Sequence, residues 1–272
     1  MLRSLFSGAS GLRAHQVRMD VIGNNIANVN TTGFKSSRAN FQDLLSQTLR
    51  SPLGATTTAG SINPAQVGIG VMVAGINTKM DQGGLQMTGR TLDLAIQGNG
   101  FFIIKKNSGD PDENAFYTRE GIFYTSFDGS SYYLVNSNGY FVCDSSGQPI
   151  NLGSDPIETI NISDTGDIII NGTAITQRIA LATFPNTGGL ERVGQNLFRE
   201  TPASGEHSYD NPGDTGTRVT NSRINSGYLE MSNVDLSEEF TNMITTQRGF
   251  QANARVITVS DTLLQELVDL KR

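Results

Sequence analysis

The residues of this chain that could carry out chemistry are few, and their spacing fits no familiar reaction centre. Gly98-Asn99-Gly100 begins like the glycine-rich loop that holds a dinucleotide. That fingerprint needs a third glycine at a fixed offset and a helix after it, whereas an apolar, strand-like run follows here. The sequence therefore predicts no nucleotide site, and we expect no cofactor.

Metal-binding patterns are missing as well. Asp155, Asp164 and Asp167 lie near one another in the sequence but lack the ligand spacing of a calcium loop. We interpret them as turn residues between strands. The two histidines, His15 and His207, are far apart, and neither belongs to a ligand motif. We therefore expect no metal ion.

The single cysteine, Cys143, excludes an internal disulfide and a thiolate zinc cluster. It ends the apolar run Tyr140–Cys143, where a small buried side chain is expected rather than a nucleophile. A catalytic cysteine usually needs a nearby base, and neither histidine lies near Cys143 in the sequence. We predict that the chain is not an enzyme, has no catalytic residues and takes no small-molecule substrate.

Composition excludes two further classes of protein. The 272 residues carry 20 Lys and Arg against 26 Asp and Glu, a net charge of −6, which disfavours binding to nucleic acid. No apolar run approaches the roughly 20 residues that span a bilayer. Three arginines interrupt the first 20 residues, so we expect no cleaved signal peptide.

The elements that remain are two amphipathic ends around a strand-rich centre. In the N-terminal segment, apolar residues follow a helical spacing of three and four: Leu2, Leu5, Ala9, Leu12, Met19, Ile22, Ile26 and Val29. Gly8, Gly11 and Gly23 lie in this helix, and each costs on the order of 1 kcal/mol relative to alanine. Close approach by a neighbouring helix would offset that cost. Gly33 supplies a C-terminal stop.

The C-terminal segment repeats the pattern over a greater length. Its seam is Leu236, Phe240, Met243, Gln247, Phe250, Ala254, Ile257, Asp261, Leu264 and Val268. Asp235 and Glu238 fit a capping box. The two ends predict a coiled coil between the termini or between subunits. Because isolated helices are costly to nucleate, we expect both ends to be flexible in a free subunit and to fold on assembly.

The centre predicts short strands joined by tight turns. Residues 50–66 are poor in large apolar side chains and indicate an extended connector. Turn signals then follow between apolar runs, at Gly98-Asn99-Gly100, Asp128-Gly129, Asn138-Gly139 and Asn171-Gly172, and such signals favour hairpins. The predicted fold is α+β: a coiled-coil-like domain (1–33 and 235–272), an extended connector (34–66) and a central all-β domain (67–234), either a sandwich or a partly closed barrel.

Three stretches resemble the signatures of bacterial flagellar rod and hook axial proteins. The first is LFSGASGL at residues 5–12 with MDVIGNNIANVNTTGFK at 19–35, and the second is GRTLDLAIQGNGFF at 89–102. The third is GYLEMSNVDL at 227–236, continued by EFTNMI at 239–244 and QRGFQAN at 247–253. The resemblance covers nearly the whole chain.

The resemblance implies a structural subunit of the flagellum. In that family the terminal helices pair around a central export channel, the β domain lies outside them, and subunits are exported without a cleaved signal peptide. Residues 66–76 and the C-terminal residues 267–272 look more like hook protein. The length fits a distal rod protein or a short hook protein without a large extra outer domain. The resemblance therefore favours a short hook protein, a flexible joint that transmits torque from rod to filament. The alternative is a distal rod protein, a rigid drive shaft.

The implied partner is the chain itself, in a helical homopolymer. Rod proteins, hook–filament junction proteins, a hook cap and the export apparatus are further implied partners, and the implied location is extracellular, in the flagellar hook or basal body. The residues that we predict to carry assembly are Leu5, Leu12, Ile22, Asn24, Asn25, Ile26, Leu236, Phe240, Met243, Phe250, Ile257 and Leu264.

A secreted β-rich adhesin or binding module remains a rival of another class. It would need an exposed aromatic or polar groove in the central domain. The side chains available for one are Tyr117, Tyr124, Tyr132, Tyr133 and Tyr140.

Overall fold

The computed structural model describes residues 2–54, 60–107, 115–212 and 222–270. One long helix lies at each end of the chain, and short strands fill the centre. The predicted α+β class is confirmed. The strands in the described ranges form open sheets and no closed barrel.

The N-terminal helix, α1, spans Leu2–Ala27 and ends before the predicted stop at Gly33. In the turn that follows, Thr31 donates from both its backbone nitrogen and its hydroxyl to Asn28, each at 3.1 Å. Local bonds of this kind compete with the helix, which explains the earlier end. Gly33 has a φ of 67°, and an added methyl group would lie 2.7 Å from the backbone nitrogen of Glu120. Packing, rather than helix termination, requires glycine there.

The C-terminal helix, α2, spans Leu236–Asp269, close to its predicted bounds. Asp235 is its N-cap, as predicted. The carboxylate accepts from the backbone nitrogens of Ser237 at 2.8 Å and Glu238 at 3.3 Å. Glu238 and Glu239 place further negative charge in the first turn, where the helix dipole favours it.

The chain divides into two compact units. The first contains Met1–Ala27, Ser37–Thr78 and Asp235–Arg272, and therefore both helices. The second contains Asn28–Ser36 and Lys79–Val234.

A long antiparallel hairpin completes the first unit. Its inner pair joins β1 (Ser37–Asp43) to β4 (Val71–Thr78), and its outer pair joins β2 (Ser46–Arg50) to β3 (Ala65–Gly68). A bridge between Leu53 and Ile62 extends the pairing further. Within the predicted connector at 34–66, the described residues 37–43, 46–50 and 65–66 therefore lie in paired strands.

The second unit carries the remaining strands. They are β5 (Leu85–Met87), β6 (Leu94–Gln97), β7 (Phe101–Lys105), β8 (Phe116–Thr118), β9 (Phe123–Phe127), β10 (Tyr132–Asn136), β11 (Phe141–Val142), β12 (Asn151–Gly153), β13 (Ile160–Ile162), β14 (Asp167–Ile170), β15 (Thr173–Arg178), β16 (Leu181–Thr183), β17 (Glu191–Gly194), β18 (Leu197–Arg199), β19 (Ser208–Asp210), β20 (Arg223–Ser226) and β21 (Tyr228–Glu230).

The main sheet has the order β12-β10-β11-β7-β8-β18-β17, with β9 on β10, β16 on β7 and β19 on β16. Strands β13, β14 and β15 form a meander, while β20 pairs with β6 and β21 with β5. Successive residues of β7 face opposite sides of its sheet. Phe102 and Ile104 belong to one buried cluster, and Phe101 and Ile103 belong to a second that includes Cys143.

Three of the four predicted hairpin turns are present. Asp128-Gly129 joins β9 to β10, Asn138-Gly139 joins β10 to β11, and Asn171-Gly172 joins β14 to β15. The hairpin predicted at Gly98-Asn99-Gly100 is wrong, because β6 pairs with β20 while β7 pairs with β8, β11 and β16. A methyl group on Gly100 would lie 3.1 Å from Cβ of Leu181. The glycine therefore admits close packing against β16.

Candidate assembly surface

The two helices of the first unit pack against each other in antiparallel orientation. The hydroxyls of Ser4 and Ser260 lie 3.2 Å apart at one end of the pair, and Asn25 donates to Glu239 at the other. Between these contacts, a methyl group on Gly11 would lie 2.8 Å from the side chain of Asn253. Small residues thus permit the close helix approach that the sequence predicted.

The residues of α2 that pack most closely against α1 differ from the predicted apolar seam. Thr246 and Ser260 are the buried residues of α2, whereas Gln247 and Asp261, one position further along the chain in each case, are exposed. A methyl group on Gly249 would lie 2.6 Å from the His15 ring. Close backbone approach requires small side chains at the line of contact, so the apolar positions flank that line rather than define it.

Asn25 ties three elements of the first unit together. Its side-chain nitrogen donates to the backbone oxygen of Ser37 at 2.8 Å and to a carboxylate oxygen of Glu239 at 2.9 Å. Its side-chain oxygen accepts from the Ser37 backbone nitrogen at 3.0 Å. Burial raises the pKa of Glu239, while the hydrogen bond from Asn25 opposes that shift. Asn25 is therefore a bridge between α1, β1 and α2.

The base of the hairpin packs on α1. The rings of His15 and Phe41 meet edge to face with centroids 5.7 Å apart, and the Arg18 guanidinium lies 5.8 Å from the Phe41 centroid. The backbone nitrogen of Val71 donates to the Ser10 hydroxyl at 3.3 Å. Burial, and next the charge of Arg18, lower the pKa of His15. The hairpin and the helices thus share one packed region.

An aliphatic stripe on α2 has no partner among the described residues. Its members are between 43% and 83% exposed and are spaced by steps of three, four, four and three: Val256, Val259, Leu263, Leu267 and Leu270. Leu236, Phe240 and Ile244 form a second exposed group near the start of the helix. Contiguous exposed apolar surface of this kind marks an interaction site.

The twelve residues predicted to carry assembly occupy three environments. Ile22 and Asn25 are buried within the first unit. Asn24, Leu236 and Phe240 are exposed, and the others are half-buried: Leu5, Leu12, Ile26, Met243, Phe250, Ile257 and Leu264. Their role in assembly stays a prediction.

The sequence reasoning missed the stripe from Val256 to Leu270, although its three- and four-residue spacing was a usable signal. The predicted seam of α2 is a single line of residues, whereas the helix carries a second apolar line at the same spacing. Exposed aliphatic residues also follow the hairpin, and were likewise not predicted: Leu45, Leu49, Leu53, Ile62, Val67, Ile69, Met72 and Ile76.

The residues first considered for chemistry have ordinary structural surroundings. Asp167 pairs with Arg178 at 2.5 Å, and Asp164 lies 4.0 Å from Arg223. Cys143 is buried. In the parts of the chain that the structure describes, no three His, Cys, Asp or Glu side chains converge as metal ligands would.

The tyrosines that a binding module would need have different surroundings in the described structure. Tyr117 is fully buried, while Tyr124 lies under the guanidinium of Arg90 at 4.4 Å. A cavity of about 320 Å³ in the second unit is lined by Asn99, Phe101, Thr183 and Phe184, among others, and by none of the five tyrosines.

None of the helices in the described ranges is both long and apolar enough to cross a membrane.

Paired terminal helices with an unpartnered apolar stripe are typical of a structural protein that assembles, and comparisons with known families agree. Residues 5–35 match the family described as flagella basal body rod protein. Residues 95–170 match the flagellar hook protein FlgE/F/G D1 domain, and residues 225–270 match the flagellar basal body rod FlgEFG protein C-terminal family.

Relatives align over the whole chain. The flagellar basal-body rod protein FlgG of Bacillus subtilis (strain 168) is 47% identical over 277 residues, covering 100% of both chains. FlgG of Caulobacter vibrioides is 39% identical, covering 99% of this chain and 100% of the relative. The flagellar hook protein FlgE of Borreliella burgdorferi is 31% identical over 453 residues, covering 100% of both chains. The chain belongs to the flagellar rod and hook protein family, whose members are structural proteins of the flagellum and not enzymes.

Proposed function

We propose that this chain is a distal rod subunit that polymerises into a helical tube around a central export channel. The observation that carries polymerisation is the aliphatic stripe from Val256 to Leu270, which faces solvent in the single chain. A helical array of copies would bury it, since a heterologous contact repeated with a screw rotation gives an open filament.

Length supports the rod over the hook. The Bacillus rod relative aligns over 277 residues, about the length of this 272-residue chain. The alignment with the Borreliella hook relative extends over 453 residues, so that hook protein has a large segment without a counterpart here. A drive shaft without an additional outer segment fits the shorter chain.

The hairpin supports the same choice. Composition predicted an extended connector at residues 50–66. Instead, β2 pairs with β3 from Ser46 opposite Gly68 to Arg50 opposite Ala65. A paired hairpin with exposed aliphatic side chains is better suited to a fixed contact between neighbouring subunits than to a sliding contact.

A hook subunit is the second candidate. The observation in its favour is the hook relative, whose alignment covers this whole chain. In either case the partners would be further copies of the chain, the adjoining rod or junction proteins and the export apparatus. A hook cap belongs to the hook candidate alone. Both candidates imply passage through the export apparatus without a cleaved signal peptide.

Leu263→Asp tests polymerisation. A charge in the buried stripe of an assembled tube would be costly to desolvate, so we expect tubes to be absent while the free subunit keeps its β-sheet circular dichroism. Thr262→Asp, at an exposed neighbour in the same helix, is the matched control and should assemble normally. Normal tubes from Leu263→Asp would contradict the proposal.

A further inference from the structure

Three separate segments of the second unit meet at the buried carboxylate of Glu230. One oxygen accepts from the Lys35 ammonium at 2.6 Å and from the backbone nitrogen of Gly83 at 2.9 Å. The other accepts from the Arg119 guanidinium at 3.2 Å. The backbone oxygen of Glu230 also accepts from the backbone nitrogen of Gly33 at 2.8 Å. One residue thus connects 33–35, 83 and 119 to β21.

Charge makes these contacts strongly interdependent. The side chains of Lys35, Arg119 and Glu230 are 1%, 4% and 0% exposed, so one carboxylate serves two buried cations. Burial lowers the pKa of Lys35, an effect that Glu230 opposes. Removing Glu230 from this group would leave two buried cations uncompensated, so the carboxylate is the partner that the group most needs.

Asn233 also links separate segments of the second unit, through hydrogen bonds from its uncharged side chain to backbone groups. Its side-chain oxygen accepts from the backbone nitrogen of Ser36 at 2.8 Å. Its side-chain nitrogen donates to the backbone oxygens of Lys79 at 2.8 Å and Asp81 at 3.1 Å. The Lys79 nitrogen in turn donates to the backbone oxygen of Ser36 at 2.8 Å. We call Lys35, Arg119, Glu230 and Asn233 the junction clamp.

The clamped segments are those through which the chain leaves the second unit. The chain passes between the units after residues 27, 36, 78 and 234. Ser36, Lys79 and Asn233 each lie within one residue of such a crossing, and the segment 28–36 holds the first crossing as well. The helices α1 and α2 are separated by more than 200 residues of sequence, and closing a long loop costs conformational entropy.

We propose that Glu230, Lys35 and Asn233 are positioning residues, which hold the chain crossings together in the free subunit and so set the register of the helices before assembly. This inference rests on the proposed polymerisation. The clamp belongs wholly to the second unit and needs no neighbouring copy. It therefore keeps the ends of α1 and α2 that adjoin the second unit tethered even where the helices themselves are unpaired.

Hydrogen exchange on the free, full-length subunit tests the clamp, with the variants Lys35→Met and Asn233→Ala. Lys35→Met leaves the Arg119–Glu230 pair balanced, and Asn233→Ala changes no charge. We expect the amides of Gly33 and Ser36 to be protected in the wild type, and to exchange on the order of tenfold faster in each variant. Strand β7 should stay protected throughout. The control is Asn225→Ala, which removes an exposed contact to Gln97 and should leave the exchange of residues 33–36 unchanged.

The polymerisation rate supplies the second measurement. Both clamp variants should form tubes on the order of tenfold more slowly, but with unchanged final structure. Unprotected amides at 33–36 in the wild type, or unchanged exchange in both variants, would overturn the clamp. Faster exchange with an unchanged polymerisation rate would overturn its registering role. If Lys35→Met also loses protection in β7, that variant is destabilised throughout the second unit. The clamp is then judged from the exchange rates of Asn233→Ala alone. Failure of the wild type to form tubes counts against the proposed function, while the exchange result still judges the clamp.

Discussion

Gly11 and Gly23 lie in the same helix, yet they differ in what surrounds them. A methyl group on Gly11 would lie 2.8 Å from the Asn253 side chain, whereas none of the described atoms lies within 4 Å of one on Gly23. Glycine lowers helix stability by about 1 kcal/mol relative to alanine. Only at Gly11 does a close contact within the chain account for that cost.

We therefore predict opposite results from two alanine substitutions. Gly23→Ala should stabilise α1 by up to about 1 kcal/mol. Gly11→Ala should lose that gain, because Asn253 must move and its 3.0 Å bond to the backbone oxygen of Gly249 is put at risk. Thermal melting of the helical circular dichroism of the assembled protein measures both variants. Equal stabilisation by the two would show that the helices do not approach closely at Gly11.

We predict that His15 makes the helix pair sensitive to acid. Burial and Arg18 lower its pKa below the ordinary 6.5, so the unfolded chain binds a proton at a pH at which the folded chain does not. Its contribution to stability is complete above pH 6.5 and declines as the pH falls below that value. Burial raises the pKa of Glu239 above 4.5, so stability from that group instead increases as the pH falls toward 4.5.

The test compares melting of the assembled wild type with that of His15→Gln between about pH 7 and about pH 5.5. The wild type should lose stability over this interval, and the variant, which cannot take up a proton there, should lose less. A parallel decline in both would assign the acid sensitivity to other groups.

At the scale of elements, periodicity predicted both helices, because the three- and four-residue spacing of an amphipathic helix lies within one contiguous segment of the sequence. The capping residue Asp235 followed from residue type alone. The sequence could not place the line of closest contact, since Thr246 and Ser260 are polar and invisible to an apolar template. Nor could it predict that β1 and β2 pair with β4 and β3, because such pairing depends on partners 15 to 41 residues away.

Gly98-Asn99-Gly100 illustrates a different failure. Asn-Gly favours a hairpin when neighbouring strands pair, but here it carries the chain between strands of different sheets. Local turn chemistry predicts a bend at these residues, but it does not predict which strands pair on either side of the bend. Prediction of the assembly residues meets a similar obstacle, because the sequence of a single chain does not reveal which apolar positions a neighbouring copy covers.

The hairpin is the element on which the proposed choice of rod over hook can be tested. Deleting Gly54–Gly60 removes most of the segment between Leu53 and Ile62, the outermost bridged pair that the structure describes in the hairpin; residues 55–59 lie outside the described ranges. If the hairpin stiffens the assembly, tubes of the wild type should be straight and tubes of the variant should bend more. Persistence lengths from electron micrographs measure this difference. Curved, flexible wild-type tubes would instead favour the hook.

At the scale of the whole molecule, the two units have different sources of stability. The second unit buries its own aliphatic and aromatic clusters. The first unit leaves the stripe of α2 and the aliphatic side chains of the hairpin in solvent. Completing the burial of the first unit in a polymer would couple its final folding to assembly, which keeps a subunit transportable until it reaches its site.

Cryo-electron microscopy of tubes assembled from the purified chain tests the central claim most directly. We predict a straight helical tube in which α1 and α2 surround a central channel and the stripe from Val256 to Leu270 is buried between copies. Persistent monomers at high concentration, or tubes in which that stripe still faces solvent, would contradict it.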